Sequence, residues 1–227
     1  MPPGSPSLSL YNTAIPSDSS FSYLGVPFNS KSMIDSSLLL DRNIKSAVSS
    51  MRSTMQPLGL HSPSFSRLTA SRLYAMFIRP KFEYGLAISI FRAGHFKKLE
   101  KAQDTCLRLA FGGHSKSSTS VFKHITNLPS LKARIYHLQF KMIVRVSYYL
   151  PSDALISILL PRLKVKSSHW SKLCSCNPFW SLISVSESGD SLSLDEINHF
   201  VSSTALVKSH LLSYHQSEFN TAVCPNW

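Results

Sequence analysis

No stretch of this sequence approaches the roughly 18 consecutive apolar residues that a membrane span requires, so no membrane-spanning helix is expected. The first thirty residues contain no lysine or arginine. A secretory signal places a basic stretch before an apolar one, and a transit peptide is arginine-rich; neither pattern is visible. Cysteine is sparse as well. Cys106 falls within a helical pattern and reads as a core residue, Cys174 and Cys176 form only a C-x-C, and Cys224 lies near the end. With His169 upstream, they do not reproduce the paired arms of a structural zinc site, so no metal and no cofactor are expected. Reduced thiols fit an intracellular setting, nuclear or cytoplasmic. No repeat of solenoid period occurs. No Gly-x-Ser-x-Gly elbow and no phosphate loop ending in Gly-Lys-Ser/Thr is found. The run from Phe111 to Lys116 lacks the spacing of such a loop and reads as a helix stop.

What is present is positive charge, and it is concentrated. The net charge of +12 over 227 residues divides unevenly. Residues 31–164 hold 21 Lys and Arg against 6 Asp and Glu, whereas residues 165–227 hold 3 against 5. A basic block of this kind is the footprint of a surface that meets phosphates. Charged faces that merely solvate helices are the plainer explanation.

The chain divides into four stretches. Residues 1–20 are rich in Pro and Ser without periodicity and are expected to be disordered. Residues 21–34 alternate bulky side chains around Gly25, which fits a short hairpin limited by Pro27. Residues 35–162 turn helical. Leu40, Ile44, Ala47, Val48, Met51 and Met55 form one stripe, with Asp35 as N-cap and Pro57 and Gly59 as the stop. Ser62-Pro63 predicts a second start, and Phe65, Leu68, Leu73, Met76 and Phe77 its apolar face, ending or kinking at Arg79 before Pro80. A third helix is predicted from about His95 to Phe111, closed by Gly112-Gly113. A fourth begins near Pro129 with Leu131, Ile135, Leu138, Met142, Val146 and Tyr149, and carries Lys132, Arg134, His137, Lys141 and Arg145 on its flanks. A short helix from Asp153 to Leu160, capped by Ser152, should follow. Residues 163–227 read as a loosely ordered, Ser-rich connection and then a helical hairpin opened by the capping box Ser193 to Glu196. The fold class is mainly α: a short N-terminal β-hairpin followed by a helical bundle, with a disordered N-terminus and a loosely ordered C-terminal region.

Four elements occur in order: Phe21-Ser-Tyr-Leu-Gly-Val26; Leu73-Tyr74, Ile78-Arg79-Pro80 and Glu83-Tyr84-Gly85; Leu99-Glu-Lys-Ala-Gln-Asp104 with Leu107-Arg108 and Gly112-Gly113; and Asn127-Leu-Pro-Ser-Leu131 with Arg134. Together they resemble the C-terminal part of the reverse transcriptases of non-LTR (LINE-type) retrotransposons, over about residues 21–162. The resemblance implies that the Tyr-Leu-Gly element is the hairpin at the end of the palm, which helps hold the primer strand. It implies that the helices are the thumb and the connection beyond it. In that family the polymerase acid pair precedes the hairpin. Here residues 1–20 offer only Asp18, so the resemblance implies no polymerisation by this chain alone and a separate palm-and-fingers core as partner. Phosphoryl transfer of this kind depends on Mg2+ held by such carboxylates.

The other acids have ordinary explanations. Asp35 caps a helix, Asp195 and Glu196 suit a first helical turn, and Glu100 and Asp104 are expected on an exposed face beside Lys97, Lys98 and Lys101. The candidate nucleic-acid-binding residues are Tyr23, Gly25, Arg72, Arg79, Lys97, Lys101, Arg108, Arg134, Lys141 and Arg145, which would track the phosphates of an RNA or DNA primer–template. Arg67, Lys81, Arg92, Lys98 and Lys132 belong to the wider basic set. Tyr74, Phe77 and Tyr84 are expected in the core, while Tyr23 and Phe28 suit a small hairpin core as well as a primer contact. Two rival readings are an inert retroelement remnant or a helical protein-interaction module. Binding to anionic membrane by the basic helices is a third.

Overall fold

The computed structural model describes residues 9–11, 13–14, 20–31, 33–62, 64–146, 150–151, 154–156, 165–180, 213 and 216–217. It is mainly helical, with a short β-hairpin ahead of the helices. Strands β1 (Ser9–Leu10) and β2 (Thr13–Ala14) pair antiparallel, so the stretch expected to be disordered contains a two-residue ladder. Tyr11, with φ of 49°, lies between them in the left-handed region.

Strands β3 (Ser20–Tyr23) and β4 (Val26–Asn29) form the expected hairpin, with Tyr23 opposite Val26 and Ser20 opposite Asn29. Leu24 and Gly25 both have positive φ, 47° and 73°, as a two-residue hairpin turn matched to strand twist demands. Phe21 stacks on Phe28 with ring centroids 5.0 Å apart. Tyr23 stays outside, 65% exposed.

Helix α1 (Ser36–Ser50) starts where the sequence places it: the Asp35 carboxylate accepts from the backbone N–H groups of Ser37 and Leu38. Its apolar stripe buries Leu40, Ala47, Met51 and Met55, the last two in a wide turn over Met51–Met55. Helix α2 (Arg67–Leu73) begins four residues later than Ser62-Pro63 suggested. Ser66 is the cap, its hydroxyl accepting from Thr69 N–H at 3.1 Å, whereas the Ser62 carbonyl closes a turn with Phe65.

The predicted apolar face of this helix is not the buried one. Leu68, Met76 and Phe77 are exposed, and the core instead takes Ala70, Tyr74, Ile78 and Phe82. These four stand at strict four-residue spacing across Pro80. A π-helical stretch over Tyr74–Ile78 lets the helix resume as α3 (Arg79–Glu83), with Pro80 in its first turn. Pro80 thus stands at the second position of α3, in the first turn, where proline is tolerated.

Gly85 follows with φ of 71°. A Cβ there would meet Val26 Cγ2 at 3.3 Å and Leu39 Cδ2 at 3.4 Å, so both backbone sign and space call for glycine. A 3-10 turn, Leu86–Ile88, leads towards α4 (Ala93–Phe111). Helix α4 presents Leu99, Cys106, Leu107 and Ala110 to the core and ends on Gly112 in the left-handed region. Burial pushes the Cys106 thiol up to about 12, which makes it an inert packing group. Helix α5 (Thr119–Ile125), not anticipated from periodicity, connects to α6 (Leu131–Val144), capped by the Ser130 hydroxyl.

Beyond α6 the structure departs from a loose connection. Helix α7 (His169–Ser175) buries Leu173, and Phe179 sets its ring 6.3 Å from that of Phe140 on α6. Asn177 donates to the Tyr136 carbonyl at 2.8 Å, and His169 Nε2 bonds the Ile88 carbonyl at 2.8 Å. These isolated polar and aromatic anchors have no periodicity for a sequence reading to detect. Of the expected Asp153–Leu160 helix, only Leu155 and Ile156 are described, and they are helical. Tyr149, Ser152 and the Ser193–Glu196 box lie outside the described residues.

Asn43 ties the first half together. Buried on α1, its amide donates to the carbonyls of Phe82 at 3.1 Å and Tyr84 at 2.7 Å, satisfying the end of α3 from a neighbouring helix. Asn43→Ala should lower unfolding stability by about 1–3 kcal/mol, since buried carbonyls lose their donor. Urea denaturation monitored by circular dichroism measures this directly.

Candidate nucleic-acid interface

The placement of the basic residues follows from the carboxylates. Glu83, at the end of α3, receives two arginines. Arg134 of α6 makes a forked pair, Nε to Oε1 at 2.8 Å and Nη2 to Oε2 at 3.4 Å, and Arg79 Nε lies 3.2 Å from Oε1. The Arg79 contact is an ion pair without hydrogen-bond alignment. Both arginines are half-buried. Their role in the fold is to join the second recognisable element to the fourth.

Glu100 and Asp104 are not on an exposed face among the lysines of α4, contrary to expectation. They look towards α5 and clasp Lys123, whose ammonium lies 2.8 Å from Glu100 Oε2 and 3.0 Å from Asp104 Oδ1. Burial would depress the Lys123 pKa, and the two carboxylates more than reverse that, leaving it raised. Glu100 also accepts the Lys132 backbone N–H at 2.9 Å. Gln103, one turn along, accepts from Leu131 N–H and donates to the Pro129 carbonyl, each at 3.2 Å. The third and fourth elements are thus docked on one another: α4 side chains cap the start of α6. Asp41 pairs with Lys98, and Asp35 is the α1 cap. Every carboxylate among residues 31–146 is engaged within the fold.

The ten candidates separate accordingly. Arg79 and Arg134 pair with Glu83, and Arg108 donates from Nε to the Ser117 carbonyl at 3.1 Å, pinning the loop after α4. Arg72 on α2, Lys97 and Lys101 one turn apart on α4, and Lys141 and Arg145 one turn apart on or just beyond α6 are exposed. None of these five has a carboxylate partner among the described residues. They stand on three helices rather than in one compact cluster. Tyr23 and Gly25 are at the hairpin tip. There the Tyr84 hydroxyl donates to the Leu24 carbonyl, so the first element docks on the second.

The wider basic set divides the same way. Arg67 donates from Nη1 to the Phe111 carbonyl at 2.7 Å and closes the end of α4. Arg42, which the sequence did not single out, lies over the Tyr84 ring at 5.6 Å. No charged residue four positions away marks it in the sequence, since Leu38 and Ser46 stand four residues to either side. Tyr74 is buried as expected, whereas Phe77 and Tyr84 are about half exposed.

His137 is a correction. The sequence places it on a charged flank of α6, but it is 7% exposed, on a helix that packs against α4, the 3-10 turn and α7. Burial first, then the charges of Arg134 and Lys141, push its pKa down to about 4. Among the described residues no group of three or more His, Cys, Asp or Glu gathers as a metal site, and no helix is long and apolar enough to cross a membrane.

Two outcomes are expected. Lys123→Met leaves two half-buried carboxylates without their cation and should cost about 3 kcal/mol in urea denaturation. His137 stays neutral in the folded chain down to about pH 4, while the unfolded chain takes up a proton near pH 6.5. Stability should therefore fall by roughly 2–3 kcal/mol between about pH 6.5 and 4 and be unaffected by this group above neutrality. His137→Leu should flatten that part of a stability–pH curve. In comparisons with known proteins, no family model, no curated protein and no solved structure matches this chain.

Proposed function

We propose that this chain binds the phosphate backbone of a primer–template nucleic acid through a thumb-like helical bundle, with polymerisation depending on a separate reverse transcriptase palm-and-fingers core. One observation carries the reading. Each carboxylate of residues 31–146 is paired or serves as a cap within the chain, so Arg72, Lys97, Lys101, Lys141 and Arg145 project a positive field that no carboxylate partner among the described residues offsets. Such a field attracts polyanions and releases their counterions on contact. The order of parts supports it: a hairpin, then helices, with the four recognisable elements in mutual contact. Contacts of this type set position on a duplex and carry little sequence information.

A protein-interaction module is the second reading. It is favoured by Leu68, Met76 and Phe77, which leave a helical face 55%, 66% and 49% exposed.

Binding of the purified chain to an RNA–DNA primer–template across a salt series tests the proposal. The expected log–log slope corresponds to roughly four or more phosphate contacts. Replacing Lys97, Lys101, Lys141 and Arg145 together with Gln should flatten that slope, whereas Arg134→Gln should chiefly reduce stability. A folded chain with no binding at low salt would remove the nucleic-acid role.

A further inference from the structure

We propose that the groove between α1 and α3 is a built subsite for one backbone phosphate, held by Arg42 and Lys81; the proposal rests on the nucleic-acid reading above. The groove encloses about 410 Å³ and is lined by Arg42, Asn43, Ser46, Pro80, Lys81 and Tyr84. Two cations and the hydroxyl-bearing Ser46 and Tyr84 line it, and no carboxylate does. Neither Arg42 nor Lys81 pairs with an acid among the described residues.

Arg42 is held in place without an acid. Its guanidinium carbon lies over the Tyr84 ring, 5.6 Å from the centroid. Its Nη2 donates to Asn43 Oδ1 at 3.4 Å. Gly25 closes the other approach, where a Cβ would come within 3.2 Å of Nη1. The supports are themselves fixed. Tyr84 is tied through its hydroxyl to Leu24, and the Asn43 amide is bonded to the carbonyls of Phe82 and Tyr84. A cation–π contact places an arginine without using an acid, and its planar fork of donors matches phosphate oxygens. Holding that fork in advance removes much of the ordering cost of binding. Lys81, on the opposite wall, supplies a mobile point charge, and Ser46 a neutral donor.

The subsite also gives a reason for the hairpin tip. Gly25, read from the sequence as a primer-contact residue, serves here by admitting Arg42 to its place rather than by touching the ligand.

The test compares four proteins by far-UV circular dichroism and by binding to a labelled RNA–DNA primer–template over a salt series. They are the wild-type chain, Arg42→Gln with Lys81→Gln, Arg42→Lys alone, and a charge-matched control, Lys31→Gln with Lys116→Gln, at two exposed lysines outside the groove. The groove pair should weaken binding roughly tenfold and lower the salt slope by about one, with a smaller loss in the control. Arg42→Lys keeps the charge without the planar fork and should lose part of the affinity at nearly unchanged slope. Equal losses in the groove pair and the control, or a groove pair that binds like wild type, would overturn the subsite while leaving the nucleic-acid reading intact. Should the groove pair fail to fold, Arg42→Lys with wild-type affinity overturns it equally. A wild-type chain that binds nothing at low salt overturns both.

Discussion

The five carboxylates between residues 31 and 146 are all engaged inside the fold, and this distribution governs both how the helices assemble and what their surface can do. Asp35 caps α1, Asp41 meets Lys98, Glu83 bridges α3 to α6, and Glu100 with Asp104 surrounds Lys123. Paired charges at half-buried positions add less stability than their geometry suggests, because desolvation offsets much of the attraction. Their stronger effect is on uniqueness: removing one partner leaves the other stranded, so these helices fit together in one register. With these acids already paired or used as caps, Arg72, Lys97, Lys101, Lys141 and Arg145 stay exposed at the surface.

Polar anchors at helix ends complete the assembly. Asn43 satisfies the end of α3, Arg67 the end of α4, and Glu100 and Gln103 the start of α6. In each case a side chain from one helix supplies the donor or acceptor that another helix lacks at its terminus. Packing alone would allow these helices to slide, whereas a capped terminus fixes the axial position of its neighbour. The same logic extends to the hairpin. Tyr84, just past α3, reaches Leu24, and Gly85 lets Val26 and Leu39 close over the chain.

Much of this was legible in the sequence where a local rule decides the outcome. Asp35 ahead of a regular stripe specified α1, Leu24-Gly25 between alternating residues specified the hairpin, and Gly112 specified the end of α4. Failures came where distant residues decide. The buried face falls on Ala70, Tyr74, Ile78 and Phe82, a four-residue spacing carried on through the π-helical stretch at Tyr74–Ile78, and no propensity marks such a stretch. The exposure of Glu100 and Asp104 could not be judged without knowing that α5 would bring Lys123 across from them. His137 reads as one more charged-flank residue until α7 is seen to cover its helix. The sequence could not separate Arg79, Arg108 and Arg134, which have partners inside the fold, from Lys97, Lys101, Lys141 and Arg145, which have no carboxylate partner among the described residues. Arg42 was missed because its setting is made by Tyr84 and Gly25, 42 and 17 residues away.

Among the described residues the outward-facing Arg72, Lys97, Lys101, Lys141 and Arg145 have no carboxylate partner, and we propose that they meet phosphate. The most direct measurement is the melting temperature of the chain with and without an RNA–DNA duplex, at low and at high salt. A ligand that binds only the folded state raises its stability in proportion to the logarithm of ligand concentration over the dissociation constant. The account predicts a rise of several degrees with duplex at low salt that disappears at about 0.5 M salt, where exposed charges are screened. A melting temperature indifferent to duplex at low salt would contradict it.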